Sequence, residues 1–427
     1  MEAIVLFALA LGLALLGVPI AAALGGAAVF VIWWFGLAPL EVVPNIAYAT
    51  VSRYTLLAVP FFIVAGFVME RSGIAERLVS LATVMVGRLP GGLAYVTIVV
   101  AICFAGISGS GTADTAALSA IMIPSMLRTG YSREFSAALV ACGGSIGVIM
   151  PPSIGYILYG ATSGASIGKL FIAGIVPGIL VATGLGIVSY FAVRKLPALS
   201  TTKVTVPIFF RAGREAIWGL AAPIIILGGI YSGVFTPTEA AGIVVIYSLI
   251  VGTLIYRKLG LTTLPSFFVE AAQVTSMAMV IVVGASLFSW VITRIGVSQE
   301  VVSAVTSVAH TPFTVVVILA LVLLVAGMFL DAVSITFVFI PLFLPILTLE
   351  NIDLVWFGTL FAVLMAIGQV HPPIGVNFYI STGLAKARFS GAVVAVLPMV
   401  AAQAAVVVLL LFFPVLSLWL PTRLGMH

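Results

Sequence analysis

The sequence predicts an all-α polytopic membrane protein, an inverted repeat with about ten crossings plus two re-entrant helical hairpins. Three observations predict it. Of 427 residues, 63% are hydrophobic and only 7% charged, with a mean hydropathy of +1.32, which leaves too little charge to cover a soluble surface. Apolar runs long enough to cross about 30 Å of hydrocarbon recur along the chain. Features of the first half return in the second: Pro151 and Pro177 reappear as Pro372 and Pro398, both at an offset of 221.

The first crossings fall near 3–18 and 20–37. An apolar run ending in Ala21-Ala22-Ala23 imitates a cleavable leader, but Glu2 stands where a leader carries positive charge and the run continues to about Gly36. The segment is therefore expected to be retained. The "VIWWF" stretch (31–35) reads as an interfacial aromatic belt. A third crossing follows near 54–70. Next comes an apolar stretch, about 93–126, centred on Ser-Gly-Ser-Gly-Thr-Ala-Asp; from Leu89 to Leu127 the only charged residue is Asp114. Each arm is about a dozen residues, roughly 18 Å of helix, too short for a bilayer. Two short helices entering and leaving by one face fit better. Crossings near 134–160 and 171–193 complete a first repeat over 1–195, followed by a cytoplasmic linker at 196–216. The second repeat, 217–427, places crossings near 217–234, 239–256, 275–292, 354–383 and 391–420. Its hairpin lies at 312–347.

Charge supports this order and fixes an orientation. With the N-terminus outside, only Arg53, Lys169, Arg294 and Arg423 of the 18 basic residues fall outside, as the positive-inside bias requires. An even number of crossings returns the C-terminus to the outside. The net charge of +5 comes from short loops between spans, so it is no nucleic-acid signal. Cys103 and Cys142 sit in apolar segments and frame no disulfide or metal site.

An ionisable residue at membrane depth is a functional-site candidate, and interrupted helices in inverted repeats mark secondary transporters. "GGSIGVIMPPSIG" (143–155) and "AIGQVHPPIGVN" (366–377) each place glycines and a Pro-Pro pair inside an apolar span. Proline removes a donor and disfavours helix before it, which frees carbonyls near Gly144, Ser145, Gly147, Val148 and Met150. Freed carbonyls in hydrocarbon need a partner, and sodium is a hard ion that favours oxygen. Ser108, Ser110 and Thr112 offer hydroxyls beside that break. The second half offers Gly327, Ser334 and Thr336 beside Ala366, Gly368 and Val370. Asp114 and Asp331, each ten positions before a proline, start the returning arms, where a carboxylate can cap helix N–H groups or meet ion or substrate. Ser108, Asp114, Ser153 and Asn377 are the candidate substrate contacts. His371 is a lone histidine beside the second Pro-Pro pair, the kind more often engaged in packing.

"FAGISGSGTADTAALSAIMIP", "IMPPSIGYILYG", "GVFTPTEAAG", "LAVPFFIVAG" and the "HPPIGVN" stretch resemble the large membrane subunit of tripartite ATP-independent periplasmic (TRAP) transporters, through essentially the whole chain. The resemblance implies an elevator-type fold of the ion-transporter superfamily in a bacterial inner membrane. It implies coupling to sodium ions, at least two, and uptake of an organic acid such as a sialic acid, a C4-dicarboxylate or a keto acid. The implied partners are a small four-helix membrane subunit and a periplasmic binding protein. By position, the family's sodium sites would fall at Ser108 to Ser110 with 144–151, and at 327–336 with 366–371. The moving unit would be about 93–160 plus 312–383. One departure is His371, where the family pattern calls for a small polar residue.

Other functions compete. A self-sufficient sodium–carboxylate symporter would use the same fold without a binding protein. An intramembrane aspartyl protease would need Asp114 and Asp331 to share a proton, but the repeat sets them on hairpins from opposite faces, at equivalent rather than facing positions. A channel suits two matched closed sites poorly. The orientation itself is testable: with single cysteines at Lys203 and Glu350, an impermeant thiol reagent applied to intact cells should label position 350 and spare position 203. The reverse pattern would invert the topology.

Overall fold

In the computed structural model, residues 1–194, 196, 206–260, 262 and 264–426 are described. Lys195 and part of the predicted linker, 197–205 with Lys203, lie outside them. The described chain is all helical. Its first half runs α1 (Glu2–Leu15), α2 (Ile20–Phe35), α3 (Val42–Val51), α4 (Ala58–Arg71), α5 (Ile74–Val86), α6 (Gly92–Ser108), α7 (Gly111–Arg128), α8 (Arg133–Ser145), α9 (Ile154–Ser163) and α10 (Ile167–Val193). The second half follows with α11 (Val206–Tyr231), α12 (Pro237–Ile250), α13 (Leu264–Arg294), α14 (Val297–Val308), α15 (Pro312–Gly327) and α16 (Ala332–Leu349). It ends with α17 (Leu354–Gly368), α18 (Val376–Ala385), α19 (Phe389–Phe412) and α20 (Val415–Arg423).

Among the described residues, seven helices are long and apolar enough to span a bilayer. Six coincide with predicted crossings. The seventh, Ala332–Leu349, is the returning arm of the second helix pair. The arms are longer than the sequence reading gave: α6, α7, α15 and α16 have 17, 18, 16 and 18 residues, or about 24–27 Å. Crossings expected at 134–160 and 354–383 are each split into two helices around a Pro-Pro pair, and both Pro-Pro bonds are cis. The crossing expected at 391–420 is likewise two helices, because the chain leaves helix at Phe413 before Pro414.

Three helices were not expected. α3, α5 and α14 lie where the sequence reads as loops, because charged and polar residues interrupt their apolar runs. Their period is nevertheless helical. α5 buries Ile74, Ala75, Leu78, Leu81 and Ala82, a stripe at spacings of three and four, against α6 and α11.

Local chemistry sets the boundaries. Thr236 caps α12 in a capping box with Glu239, with Pro237 in the first turn, so the "FTPTEAAG" stretch is a helix start. Ser132 caps α8 and Asp353 caps α17, again 221 positions apart. Large apolar side chains such as Trp33 and Trp34 remain 60% and 64% exposed, as suits a lipid-facing surface.

Where helices cross closely, glycine permits it. α2 and α13 meet with Gly25 and Gly284 in contact, and a Cβ on Gly284 would strike the Ala21 carbonyl. Gly284→Ala should therefore destabilise the detergent-solubilised protein by about 1–3 kcal/mol, read as a lowered thermal midpoint. Gly186→Ala, with no atom within 4 Å of the new Cβ, should be neutral or slightly stabilising. Equal shifts for the two variants would contradict the packing.

Candidate functional site

The first tip is built by a reversal between α6 and α7. Gly109 turns the chain with φ +63°, and a Cβ there would collide with the Pro152 carbonyl, so glycine is required twice over. Its own carbonyl accepts from Ile154 N at 3.0 Å, which pins the tip to the start of α9. Ser110 then caps α7, its hydroxyl accepting from Ala113 N at 3.5 Å, and lies 3.2 Å from the Thr112 hydroxyl. Inside the first turn, Asp114 is buried; the Ser108 hydroxyl donates to its Oδ1. Its other oxygen, Oδ2, is buried with no hydrogen-bond donor.

The broken span supplies the opposite wall. α8 ends at Ser145, a 3-10 turn covers Ile146–Val148, and α9 resumes at Ile154. Gly147 faces Asp114 so closely that a Cβ would collide with Oδ2, and Gly144 sits in the same way against Thr115. Val148 touches Gly111. Asp114, Thr115 and Gly111 of the tip thus meet Gly147, Gly144 and Val148. Among the described residues no such contact ties Ser108, Ser110 or Thr112 to the break; these three line the cavity beside the tip. Three candidates face elsewhere. The Ser145 hydroxyl donates to the Cys142 carbonyl and accepts from Gln403 Nε2 on α19 at 3.0 Å. Met150 packs on Gly178. Ser153 donates its hydroxyl to the Val148 carbonyl at 2.6 Å, so that carbonyl is not left without a partner.

The second tip differs. Asp331 is the N-cap of α16: its Oδ2 accepts from Val333 N and Ser334 N at 2.9 and 3.3 Å, and its Oδ1 accepts from the Ser334 hydroxyl. Asp331 therefore corresponds to Ser110, at the offset of 221 shared by the proline pairs. The expectation that Asp114 and Asp331 are equivalent, both capping, is corrected: aligning them on prolines ten positions ahead gave an offset of 217, four residues or about one helical turn out of step. Gly327 and Gly368 stack backbone to backbone, 3.2 Å from a Cβ on the first to Cα of the second. Thr336 donates to the Ala332 carbonyl at 2.7 Å, while Ala366 and Val370 are buried in the core.

Two cavities open on these tips. One of about 310 Å³ lies between α4 and the first tip, with Ser108, Ser110, Thr112, Asp114 and Glu70 among aromatic walls. Another of about 190 Å³ lies at the second tip, with Gly327, Asp331, Gly368, Gln369 and, from the first tip, Thr112. The tips therefore adjoin. Gln369 joins them: a Cβ on Gly111 would strike its Oε1, and that oxygen accepts from Asn377 Nδ2 at 2.9 Å. Asn377 Oδ1 is buried without a donor. The His371 ring contacts the Pro372 carbonyl. Glu70 and Gln369 escaped the sequence reading. Gln369 was visible as an amide inside the second break; Glu70 looked like the polar edge of a span. Among the described residues no three His, Cys, Asp or Glu side chains gather, so the acceptors at the first tip are hydroxyls, carbonyls and one carboxylate.

Two helix tips meeting two broken helices inside an apolar helical chain define a polytopic membrane transport protein. The chain belongs to the family described as "Tripartite ATP-independent periplasmic transporter, DctM component", which matches residues 6–416. It is 38% identical to the C4-dicarboxylate TRAP transporter large permease protein DctM of Pseudomonas aeruginosa over 89% of each chain. It is 38% identical to the isethionate TRAP transporter permease protein DctMQ of Oleidesulfovibrio alaskensis, over 94% of this chain and 64% of that longer protein. Its fold is similar to that of the YdaH transporter of Alcanivorax borkumensis, with a TM-score of 0.64 at 13% identity and 88% of each chain covered. It is a large TRAP permease subunit, not an enzyme.

The Gly147–Asp114 contact yields a cycle. Gly147→Ala should cost about 1–3 kcal/mol of stability by overpacking. In an Asp114→Ala background the new methyl has room, and most of that cost should vanish, a coupling of about 0.5–3 kcal/mol. Thermal unfolding of the four proteins measures it, and strict additivity would refute the contact.

Proposed function

We propose that this subunit imports a small organic acid by coupling it to an inward sodium gradient. In this reading a periplasmic binding protein delivers the acid, and a small four-helix membrane subunit braces the assembly. One observation carries it: Asp114 Oδ2 is buried without a donor, on a residue that lines a cavity together with the hydroxyl residues Ser108, Ser110 and Thr112. A buried carboxylate oxygen with no donor costs several kcal/mol unless a cation meets it. Hydroxyls and a carboxylate suit a hard ion that a solute gradient can drive through. The second cavity, with Gln369 and the Gly327–Gly368 stack, would hold another.

Relatives named for isethionate and C4-dicarboxylate transport point to a small organic anion as cargo. The orientation follows the basic-residue bias, with both termini periplasmic. α6–α9 and α15–α18 carry both tips and both breaks, and would move largely as one body against α1–α4 and α11–α13.

The test is uptake by the subunit reconstituted with its small partner and a ligand-loaded binding protein. Transport should require an inward sodium gradient. Ser110→Ala should raise the sodium concentration for half-maximal uptake about tenfold or more, since a hydrogen-bond-strength contact to a charge is worth about 1.5–3 kcal/mol. Equal uptake with potassium would end the coupling claim. Comparable transport of free acid by this chain alone would favour the self-sufficient symporter.

A further inference from the structure

A second cavity of about 310 Å³ lies away from both tips, between α3 and α13 on one side and α9 and α16 on the other. Its polar lining is Thr50, Arg53, Thr162, Ser286, Ser289 and Trp290. Among the described residues, all of these but Thr162, whose hydroxyl donates to the Leu158 carbonyl at 2.8 Å, have a donor to offer, and no carboxylate lines the space. The Arg53 guanidinium spends one N–H on the Ala161 carbonyl at 3.2 Å and keeps the rest of its five-donor fork. Among the described residues, the hydroxyls of Thr50, Ser286 and Ser289 and the Trp290 indole N–H have no hydrogen-bond partner, although Thr50 is only 4% exposed. Donors that make no bond within the protein and open onto the cavity, grouped around an exposed guanidinium, suit an anion with several oxygens.

The position strengthens this. Two helices, α9 and α13, run from this cavity to the one at the first tip, and α4 starts beside one and lines the other. The first cavity takes Phe62 to Glu70 on α4, Ile154 on α9 and Val274 on α13; this one takes Arg53, just ahead of α4, Thr162 on α9, and Ser286 to Trp290 on α13. Val274 and Trp290 are about 24 Å apart along the helix, so the cavities lie toward opposite faces of the membrane. Their charges are opposite too: Asp114 and Glu70 line one, Arg53 the other. Among the described residues the guanidinium is the one charged side chain on the second, so an organic anion is drawn there.

We propose that the Arg53 cavity is a binding site for a small organic carboxylate or sulfonate, the vestibule in which the acid is held on the periplasmic side; that last clause rests on the transport reading, the anion site itself does not. The test uses the full chain with its small subunit, with Cys103 and Cys142 replaced by alanine and Ser289→Cys introduced. The probes are two thiol reagents of similar size, 2-sulfonatoethyl methanethiosulfonate and its trimethylammonium counterpart, each normalised to its rate with a free thiol. The anionic reagent should react about tenfold faster or more, the focusing expected of a cleft lined by one sign of charge. Arg53→Gln should bring the ratio near one, and millimolar isethionate or succinate should slow the labelling. A ratio near one, or a preference that survives Arg53→Gln, would overturn the site. If Ser289→Cys does not fold, Ser286→Cys carries the same measurement. The labelling needs neither sodium nor transport, so an anion preference without sodium-driven uptake would sink the transport reading and leave the site standing.

Discussion

The rest of this structure depends on one constraint: inside hydrocarbon, every backbone group must find a partner within the protein. An unbroken helix meets it automatically. A broken one does not, so each break must be covered by another part of the chain. At the first break the cover is itemisable in single bonds. The Ile146 carbonyl accepts from Ile149 N and Met150 N, Val148 from the Ser153 hydroxyl, and the tip's Gly109 carbonyl from Ile154 N. The reversal between α6 and α7 and the Pro-Pro break thus complete each other. Glycine at 109, 144 and 147 lets the two backbones come close enough to do so.

Once the backbone is satisfied, what remains unpaired has a different meaning. Asp114 Oδ2 and Asn377 Oδ1 are buried acceptors without donors, close to the helix breaks. Thr50, Ser286 and Ser289 are donors without acceptors, around Arg53. These two acceptors lie by the tips, and the donors around Arg53 lie about 24 Å from the first tip's cavity along α13.

The crossings were legible because composition alone specifies them: a run of about 20 apolar residues has few alternatives. The helix pairs were legible because polar residues at depth are expensive and so stand out. α5 was not, since a charge pair, Glu76 and Arg77, hides an amphipathic period from any search for apolar runs. At the site, Ser108, Asp114 and Gly147 could be listed from the sequence, but not the fact that Gly147 faces Asp114. Side-chain direction decides such facts, and it also turned Ser145 toward Gln403 and away from the tip. The part played by Gln369 was not legible, because an amide among glycines and prolines carries no signal of which way its side chain turns.

The two halves share helix order and caps at one offset, yet their tips are chemically unequal. Where the first half has a serine cap at 110, the second has a carboxylate at 331, and that carboxylate is consumed by Val333 N, Ser334 N and the Ser334 hydroxyl. The first half places its carboxylate four residues further in, where the backbone N–H of Asp114 is already bonded to the Ser110 carbonyl at 2.9 Å and only one of its oxygens is taken by Ser108. A capping carboxylate is neutralised by the helix it starts; one inside the first turn keeps a lone pair to give away. Both halves keep the scaffold of a tip, and the placement of one carboxylate a single turn further in leaves the unspent carboxylate oxygen at the first.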